Sequence, residues 1–544
     1  MSAKRLFFTG TLCLVVVGVL IGFVFLGNVL AYTKNIYAQL GVFSQVLSYI
    51  NDNYVEEVDG EKLIDGAIVG MLEKLDPHST YLDADRFKRL QERNRGTYYG
   101  IGISFEIVNG FITVISPIEG SPSHKLGIRA GDVITKINTE SAKGITQEEV
   151  FDKLRGERGT TVHVTIQREG ETAALEFDIV RDEIPIFSVP YSFMLDDQTG
   201  YLRMTRFSAT TSDELETALD KLTGLGMQRL VFDLRGNSGG FLNEAIEVAD
   251  KFLPGTKKIV YTRGRLPDSS EDYFTTGRGQ HVRFPVIVMV DHGSASASEI
   301  VSGALQDWDR ALVVGETTFG KGLVQRQYRL KNGAALLLTV ARYYTPSGRL
   351  IQRDYSDRDA YLTEDAEEIE AEQESDSALA ARPEFHTARK RTVYGGGGIT
   401  PDIRIKRRYL GTVTEDKLAR SRAFFEYANH LVANRKLTAG DFDAWKSEFT
   451  LSDQDHAEFG RWVKEKKIEV APDSLLLQAD RIERDLKSEI ARNLWGDNQR
   501  YQILIESDPA LVEAMTYFDQ AADMARRELE GSLMEPGPAE PKKN

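Results

Sequence analysis

Between residue 184 and about residue 410 four runs are too rich in β-branched and other apolar side chains to sit at a surface: "RLVFDL" from Arg229, "PVIVMV" from Pro285, "ALVVG" from Ala311 and "ALLLTVARYYT" from Ala335. Runs of this kind, with little polar alternation, belong to strands covered on both faces. They are interleaved with helical patterns, "FLNEAIEVADKFL" from Phe241 and "SASEIVSGALQDW" from Ser296. Strands alternating with helices predict an α/β layer core. We place it at residues 183–412, with an insert at about 354–393 that is acidic in "EDAEEIEAEQESD", basic in "ARKR", and expected to be a solvated loop.

The rest of the 544-residue chain divides around that core. Leu6 to Leu26 carries no charge, follows Lys4 and Arg5, and is long enough to cross a bilayer as a helix. Residues 1–33 therefore read as a signal anchor, single-pass in the cytoplasmic (inner) membrane, with all that follows periplasmic or otherwise extracytoplasmic. Val29-Leu30-Ala31 leaves open a cleaved signal peptide. Residues 34–95 place apolar side chains at three- and four-residue intervals and predict helices. Residues 96–182 change to five short β runs and one helix, a small partly open barrel. Residues 413–530 return to amphipathic helices, and 531–544 read as a disordered tail. The whole is an α+β multidomain chain.

Charge and cysteine content exclude several functions. With 67 basic against 82 acidic residues the formal charge is −15, which disfavours nucleic acid as a partner. A single cysteine, Cys13, permits neither an intrachain disulfide framework nor a thiolate metal site.

Two serine stretches compete for a catalytic reading. "DLRGNSGG", Asp233 to Gly240, looks like the loop that carries a protease nucleophile at Ser238. A histidine base would have to come from His78, His124 or His163, one in a helix-to-loop run and two in the small β segment, and no double barrel precedes the serine. The second stretch, "DHGSASASEI", leaves a buried strand and opens into a helix, whose N-terminus stabilises developing negative charge. A lysine could serve as base there, and Lys321 lies downstream in "GETTFGKGLVQ".

Taken together, "LDPHSTYL", "YYGIGISF", "DLRGNSGG", "GSASASEI", "GETTFGKGLVQ" and "VYGGGGITPDI" resemble the carboxyl-terminal processing proteases, also called tail-specific proteases, over about residues 34–410. The resemblance implies a PDZ domain at 96–182 and a crotonase-like α/β protease core. It implies Ser296 as nucleophile, Lys321 as general base and Gln325 as the residue orienting the lysine. The backbone N–H groups of Gly240 and Ala297 would form the oxyanion hole, leaving Ser238 a loop residue. Ser294 and Ser298 match structural positions.

In the PDZ segment Gly100, Ile101, Gly102 and Ile103 would receive the free C-terminus of a polypeptide, added as a strand, and Arg155 could pair with its carboxylate or sit on a solvated helix end. His163 reads as a packing or surface residue. No cofactor and no metal are expected. The partners expected are polypeptide substrates with free C-termini, an adaptor protein, further copies in a homo-oligomer, and the membrane through the N-terminal helix. Two other readings compete: an inactive membrane-tethered PDZ scaffold, opposed by the intact Ser296, Lys321 and Gln325, and a small-molecule acyl-handling enzyme, for which a PDZ segment has no use.

Overall fold

In the computed structural model the described residues are 36–277, 279, 281–358, 361, 381–406 and 412–534. They fall into two compact units, divided after residue 81. The expected membrane segment, the acidic run 364–376 and residues 535–544 lie outside the described residues. Among the described residues no helix is long and apolar enough to cross a membrane.

The first unit holds a helix over 36–53 and another at Gly60–Leu72, started by Asp59, whose carboxylate accepts from the Glu61 and Lys62 N–H groups. In the motif "LDPHSTYL" a tight turn over Asp76–Ser79 leads into the short strand Thr80–Leu82. Buried Asp76 accepts from the His78 N–H (2.9 Å), the Ser79 N–H (2.8 Å) and the Ser79 hydroxyl (2.6 Å).

In the second unit a six-stranded sheet runs in chain order: β1 (Tyr191–Met194), β2 (Thr199–Arg203), β3 (Arg229–Asp233), β4 (Val286–Val290), β5 (Leu312–Gly315) and β6 (Ile403–Arg404). The β1–β2 pair is antiparallel and every later pair parallel. Side chains alternate between two cores. Leu202, Leu230, Phe232, Val286, Val288, Val290 and Val313 face one side, where helices α1 (Thr211–Gly224), α2 (Leu242–Phe252) and α3 (Ala297–Asp307) pack. Tyr201, Val231, Ile287, Met289, Leu312 and Val314 face the other.

That second face is covered from far along the chain. Ile505 of α4 (Asp497–Ile505), Leu511 and Ala514 of α5 (Pro509–Met515), and Phe518 and Ala521 of α6 (Phe518–Met534) supply the cover. The expected separate helical domain at 413–530 is thus two things. The helices up to Trp495 build their own core around Leu418, Tyr427, Leu431, Phe459, Leu486 and Ile490. Those after Gly496 complete the α/β layer, and α6 continues past 530 to Met534. Amphipathicity shows that a helix has a face to bury without showing what it lies against.

The insert also departs from expectation at its basic end. Glu384–His386 pairs with Thr392–Tyr394, and Arg391 donates to the buried carboxylates of Asp309 (2.5 Å) and Asp402. A lone arginine in a charged run carries no periodic signal of such burial.

Residues 96–182 form the predicted small β unit, with one hairpin and one short helix more than the sequence suggested. Ile103–Val108, Phe111–Pro117, Val133–Ile137, Thr161–Gln167 and Leu175–Val180 lie side by side, Glu140–Ser141 folding back on Val133–Ile137 and Pro122–Lys125 turning once as a helix. A further antiparallel sheet of the second unit places Leu323–Arg329 beside Ala335–Tyr344, itself paired to Lys258–Gly264.

Because α5 closes one face of the sheet, Leu511→Ala should lower stability by about 2–5 kcal/mol, the cost of emptying a large side chain from a core. Leu477→Ala, at an 86 % exposed position, should change it by less than about 0.5 kcal/mol. Denaturant midpoints of the two variants test this.

Candidate active site

Where β4 ends, the chain turns through Asp291–Ala295 and enters α3. Ser296, at the head of that helix, has φ 55° and ψ −111°, a left-handed conformation uncommon outside glycine. Holding such a residue costs on the order of 1–3 kcal/mol, so the surroundings must impose it. The N–H of Ser296 donates to the Glu299 carboxylate at 2.7 Å, and its carbonyl accepts from the Glu299 and Ile300 N–H groups and from the buried Tyr343 hydroxyl at 3.1 Å.

Glu299 is fully buried and reaches beyond its own helix. One oxygen accepts from the Thr318 hydroxyl (2.6 Å) and the Gly320 N–H (2.7 Å), the other from the N–H groups of Ser296 and of Lys321 (2.9 Å). Burial pushes its carboxyl above the ordinary glutamate range, and these four donors counter only part of that rise. Every lone-pair direction is occupied, so a proton on either oxygen would displace one of the bonds. Glu299 thereby fixes the serine turn to the loop that carries Lys321.

The lysine side chain is oriented from the next strand: its Nζ donates to Gln325 Oε1 at 3.0 Å. Gln325 lies where the register between Leu323–Arg329 and its partner slips, Val324 facing Ala341 and Gln325 facing Thr339. A bulge of this kind re-aims a side chain.

The glycine loop closes the site from a third direction. Asn237, fully buried, accepts the Gly239 N–H on its side-chain oxygen (2.9 Å) and donates to the Met204 carbonyl (3.0 Å). Its own carbonyl accepts the Ala295 N–H (3.0 Å) and the Ser298 hydroxyl (2.8 Å). Ser294 Oγ donates to the Leu234 carbonyl (2.9 Å), and Asp291 accepts the Gly236 N–H (2.7 Å). Side chains at 239 and 240 are excluded: a Cβ on Gly239 would lie 2.7 Å from the Ala295 carbonyl oxygen, and one on Gly240 2.0 Å from that of Phe207. Among the described residues neither the Gly240 nor the Ala297 N–H has a hydrogen-bond partner.

Ser296, Ala297, Lys321, Gln325, Gly240 and Ser238 line one cleft of about 820 Å³, whose described lining contains no histidine. Ser238 is exposed, and no protein group hydrogen-bonds its hydroxyl among the described residues. The structure thus brings the expected serine, lysine, glutamine and both amides to one place. Sequence reasoning missed Glu299, Asn237 and Tyr343. Glu299 was signalled: it stands three residues after Ser296, the spacing of a capping box, where a glutamate reaches back to the N-cap amide.

The expected tail-binding residues lie at a turn between two strands. Gly100 ends Thr97–Gly100, Ile103 begins Ile103–Val108, and the carbonyls of Ile101 and Gly102 are taken inward by the Ser123 and Ile118 N–H groups, both at 3.0 Å. Arg155 donates to Glu92 at 2.5 Å and lies over the rings of Tyr98 and Phe151 at 4.5 and 4.6 Å, so its charge is answered within the chain. His163 sits between Glu176 and Asp178 on the sheet surface. The bond to Asp178, set against partial desolvation, raises its pKa above the ordinary histidine value.

Residues 198–362 match peptidase family S41, 100–179 a PDZ domain, 29–86 the N-terminal domain of the activating protease CtpB, and 416–496 a family of unknown function. The carboxy-terminal-processing protease of Bartonella bacilliformis is 42 % identical over 328 residues, 59 % of this chain and 74 % of that protein. A probable CtpA-like serine protease of Staphylococcus aureus is 34 % identical over 344 residues, 63 % of this chain and 68 % of that one. Among solved structures the photosystem II D1 C-terminal processing protease is 26 % identical, covering 69 % of this chain and 89 % of its own with a TM-score of 0.35. With its S41 core and PDZ domain, the chain belongs to the carboxy-terminal-processing proteases and is a serine-type peptidase.

Proposed function

We propose that Ser296 is the nucleophile of this peptidase, Lys321 its general base and Gln325 the residue that orients the lysine, with the Gly240 and Ala297 N–H groups receiving the oxyanion. The observation that carries the assignment is the convergence on one cleft of the Lys321–Gln325 hydrogen bond, the strained serine at a helix head and two unpartnered amides. Neutral Lys321 takes the Ser296 proton as Oγ attacks the scissile carbonyl, and the oxygen that gains the electron pair is held by the two amides. The lysine then gives its proton to the departing amine, and water, deprotonated by the same lysine, releases the acyl group. An ammonium cannot accept a proton, so the base must be deprotonated, which a lysine of ordinary pKa about 10.4 is not near neutrality. Activity therefore rises with pH as Lys321 loses its proton.

The PDZ domain supports a substrate whose free C-terminus adds as a strand beside Ile103–Val108, with the cut made near that end of the chain. The charged run Lys4–Arg5 followed by Leu6–Leu26 supports a catalytic part outside the cytoplasmic membrane. The helices between Val413 and Trp495, which carry no catalytic motif, are the surface we assign to self-association or to an adaptor.

Three sets of variants test the assignment with an unstructured polypeptide as substrate. Ser296→Ala should lower hydrolysis by on the order of 10⁵ to 10⁶ with the fold retained, while Ser238→Ala keeps most of it; the reverse pattern would exchange the two serines. Lys321→Arg should be inactive, because arginine stays protonated. Gln325→Ala should lose about 10², the scale for one oriented polar group, and a chelator should change nothing.

Glu299→Gln tests the clamp. The amide presents N–H groups to donors that the carboxylate accepted, and each buried N–H left unpaired costs about 1–3 kcal/mol. Stability and hydrolysis should fall together. A Glu299→Gln enzyme as active as the parent would show that the two loops are held by other means.

A further inference from the structure

The glycine loop is fastened at its start by a group from the C-terminal part of the chain. Arg235, immediately before Gly236, lies flat against the fully buried Asp233. Its N–H and Nε donate to Oδ1 (2.9 and 3.0 Å), and Nη2 donates to Oδ2 (2.6 Å). Its remaining terminal nitrogen, Nη1, donates to Asp508 Oδ2 at 2.8 Å, 273 residues away. Arg203 holds the Arg235 carbonyl through Nη2 (3.2 Å) and donates through Nη1 to the Tyr501 hydroxyl (2.7 Å). Tyr501 lies 3.0 Å from the Tyr201 hydroxyl, which donates to Asp233 at 2.6 Å, and its ring stacks on Tyr191 at 3.9 Å.

The charges of this network balance only when the C-terminal residue is counted. Asp233 faces two guanidinium groups, leaving a half-buried surplus of one positive charge, and Asp508 cancels it. Burial alone would push Asp233 up, but Arg235 and then Arg203 hold it below the ordinary aspartate range. Asp508 also divides its work between its oxygens. Oδ1 caps α5, accepting the Ala510 N–H at 2.9 Å, and only Oδ2 serves Arg235.

We propose that Asp508 and Tyr501 are positioning residues for hydrolysis, holding Arg235 and with it the Gly236–Gly240 loop so that the Gly240 N–H points at the developing oxyanion. The proposal rests on the assignment of that amide above. It gives α4 and α5 a role in the reaction beyond covering the sheet.

Asp508→Asn separates the two roles. Asparagine caps a helix as well as aspartate does, but the group it turns to Arg235 is an NH₂, which cannot accept. In the full chain, Asp508→Asn should lower kcat about tenfold or more, short of the 10²–10³ lost with an oxyanion donor outright. KM should stay within about twofold, because the Michaelis complex carries no oxyanion, and with the helix cap kept the unfolding temperature should fall only by about the few degrees that one unanswered guanidinium N–H costs. Affinity for a peptide boronate, whose boron takes Ser296 Oγ as a fourth ligand and presents an oxyanion, should fall by the same factor as kcat. Tyr501→Phe, which removes only a hydroxyl, should move both in the same direction by about threefold. In an Arg235→Met background Asp508→Asn should have no further effect.

Unchanged kcat, a fall in kcat without the matching loss of boronate affinity, or an equal effect in the Arg235→Met background would each overturn the proposal. The parallel Ser296→Ala enzyme keeps the two levels apart. If it retains activity, the site assignment fails; if it is dead while Asp508→Asn is normal, the site stands and only the positioning role falls.

Discussion

One buried carboxylate, that of Glu299, decides whether the cleft has a shape. Removing a negative charge from water is costly, and an isolated carboxylate in such a place would take up a proton. Four donors offset the cost, and they come from two separate loops, so satisfying the charge and bringing the loops together are one event. The strained backbone of Ser296 is held by the same bonds. Thr318 extends the clamp to a further segment: its hydroxyl, while donating to Glu299, accepts the Ile399 N–H at 2.7 Å, which brings in the "GGGGITP" stretch.

The second fastening is built from serines and an asparagine. In "GSASASE" the flanking hydroxyls of Ser294 and Ser298 bond backward to the carbonyls of Leu234 and Asn237, while the middle serine faces the cleft. Alternate residues of one short run thus divide into two fasteners and the serine proposed above as the nucleophile. Small side chains are required because the glycine loop passes within contact distance of the turn, as the crowding at Gly239 shows. The arrangement leaves the Gly240 and Ala297 N–H groups at the cleft without a partner among the described residues, and in the function proposed above such pre-set donors need no reorganisation when charge develops, which is where sites of this kind gain most of their rate.

Much of this was legible in the chain. The core strands announced themselves because both their faces are buried, which removes polar alternation from "PVIVMV" and "RLVFDL". Ser296, Lys321, Gln325 and the glycine loop were legible through a family resemblance over ordered motifs, and the folded chain brings them together. What the sequence hid were partners set by tertiary contact. Glu299, missed in the sequence, has the spacing of a helix cap and is one, but both its oxygens also serve a loop some twenty residues on. Arg155 was read either for a ligand carboxylate or as a solvated helix end and lies against Glu92; Arg391 was read as solvated and lies against Asp309 and Asp402. A charged side chain carries no periodicity, so pattern alone assigns it to solvent. The late helices failed for a related reason: the strands demanded cover on two faces, but no local signal said that residues beyond 500 would supply one of them.

The distance along the chain between Arg235 and its C-terminal partner has a kinetic meaning. Contacts spanning 273 residues close large loops, and Ser116 reaches Asp497 across 381. Bringing such ends together costs loop-closure entropy before any bond is made, which places these contacts among the slow ones. The fastening of Arg235 to Asp508 therefore depends on one of the largest loops of the chain being closed. A chain whose sheet has formed without α4 and α5 in place lacks the contacts of Asp508 to Arg235 and of Tyr501 to Arg203, so these two fastenings exist only where the distal helices have docked.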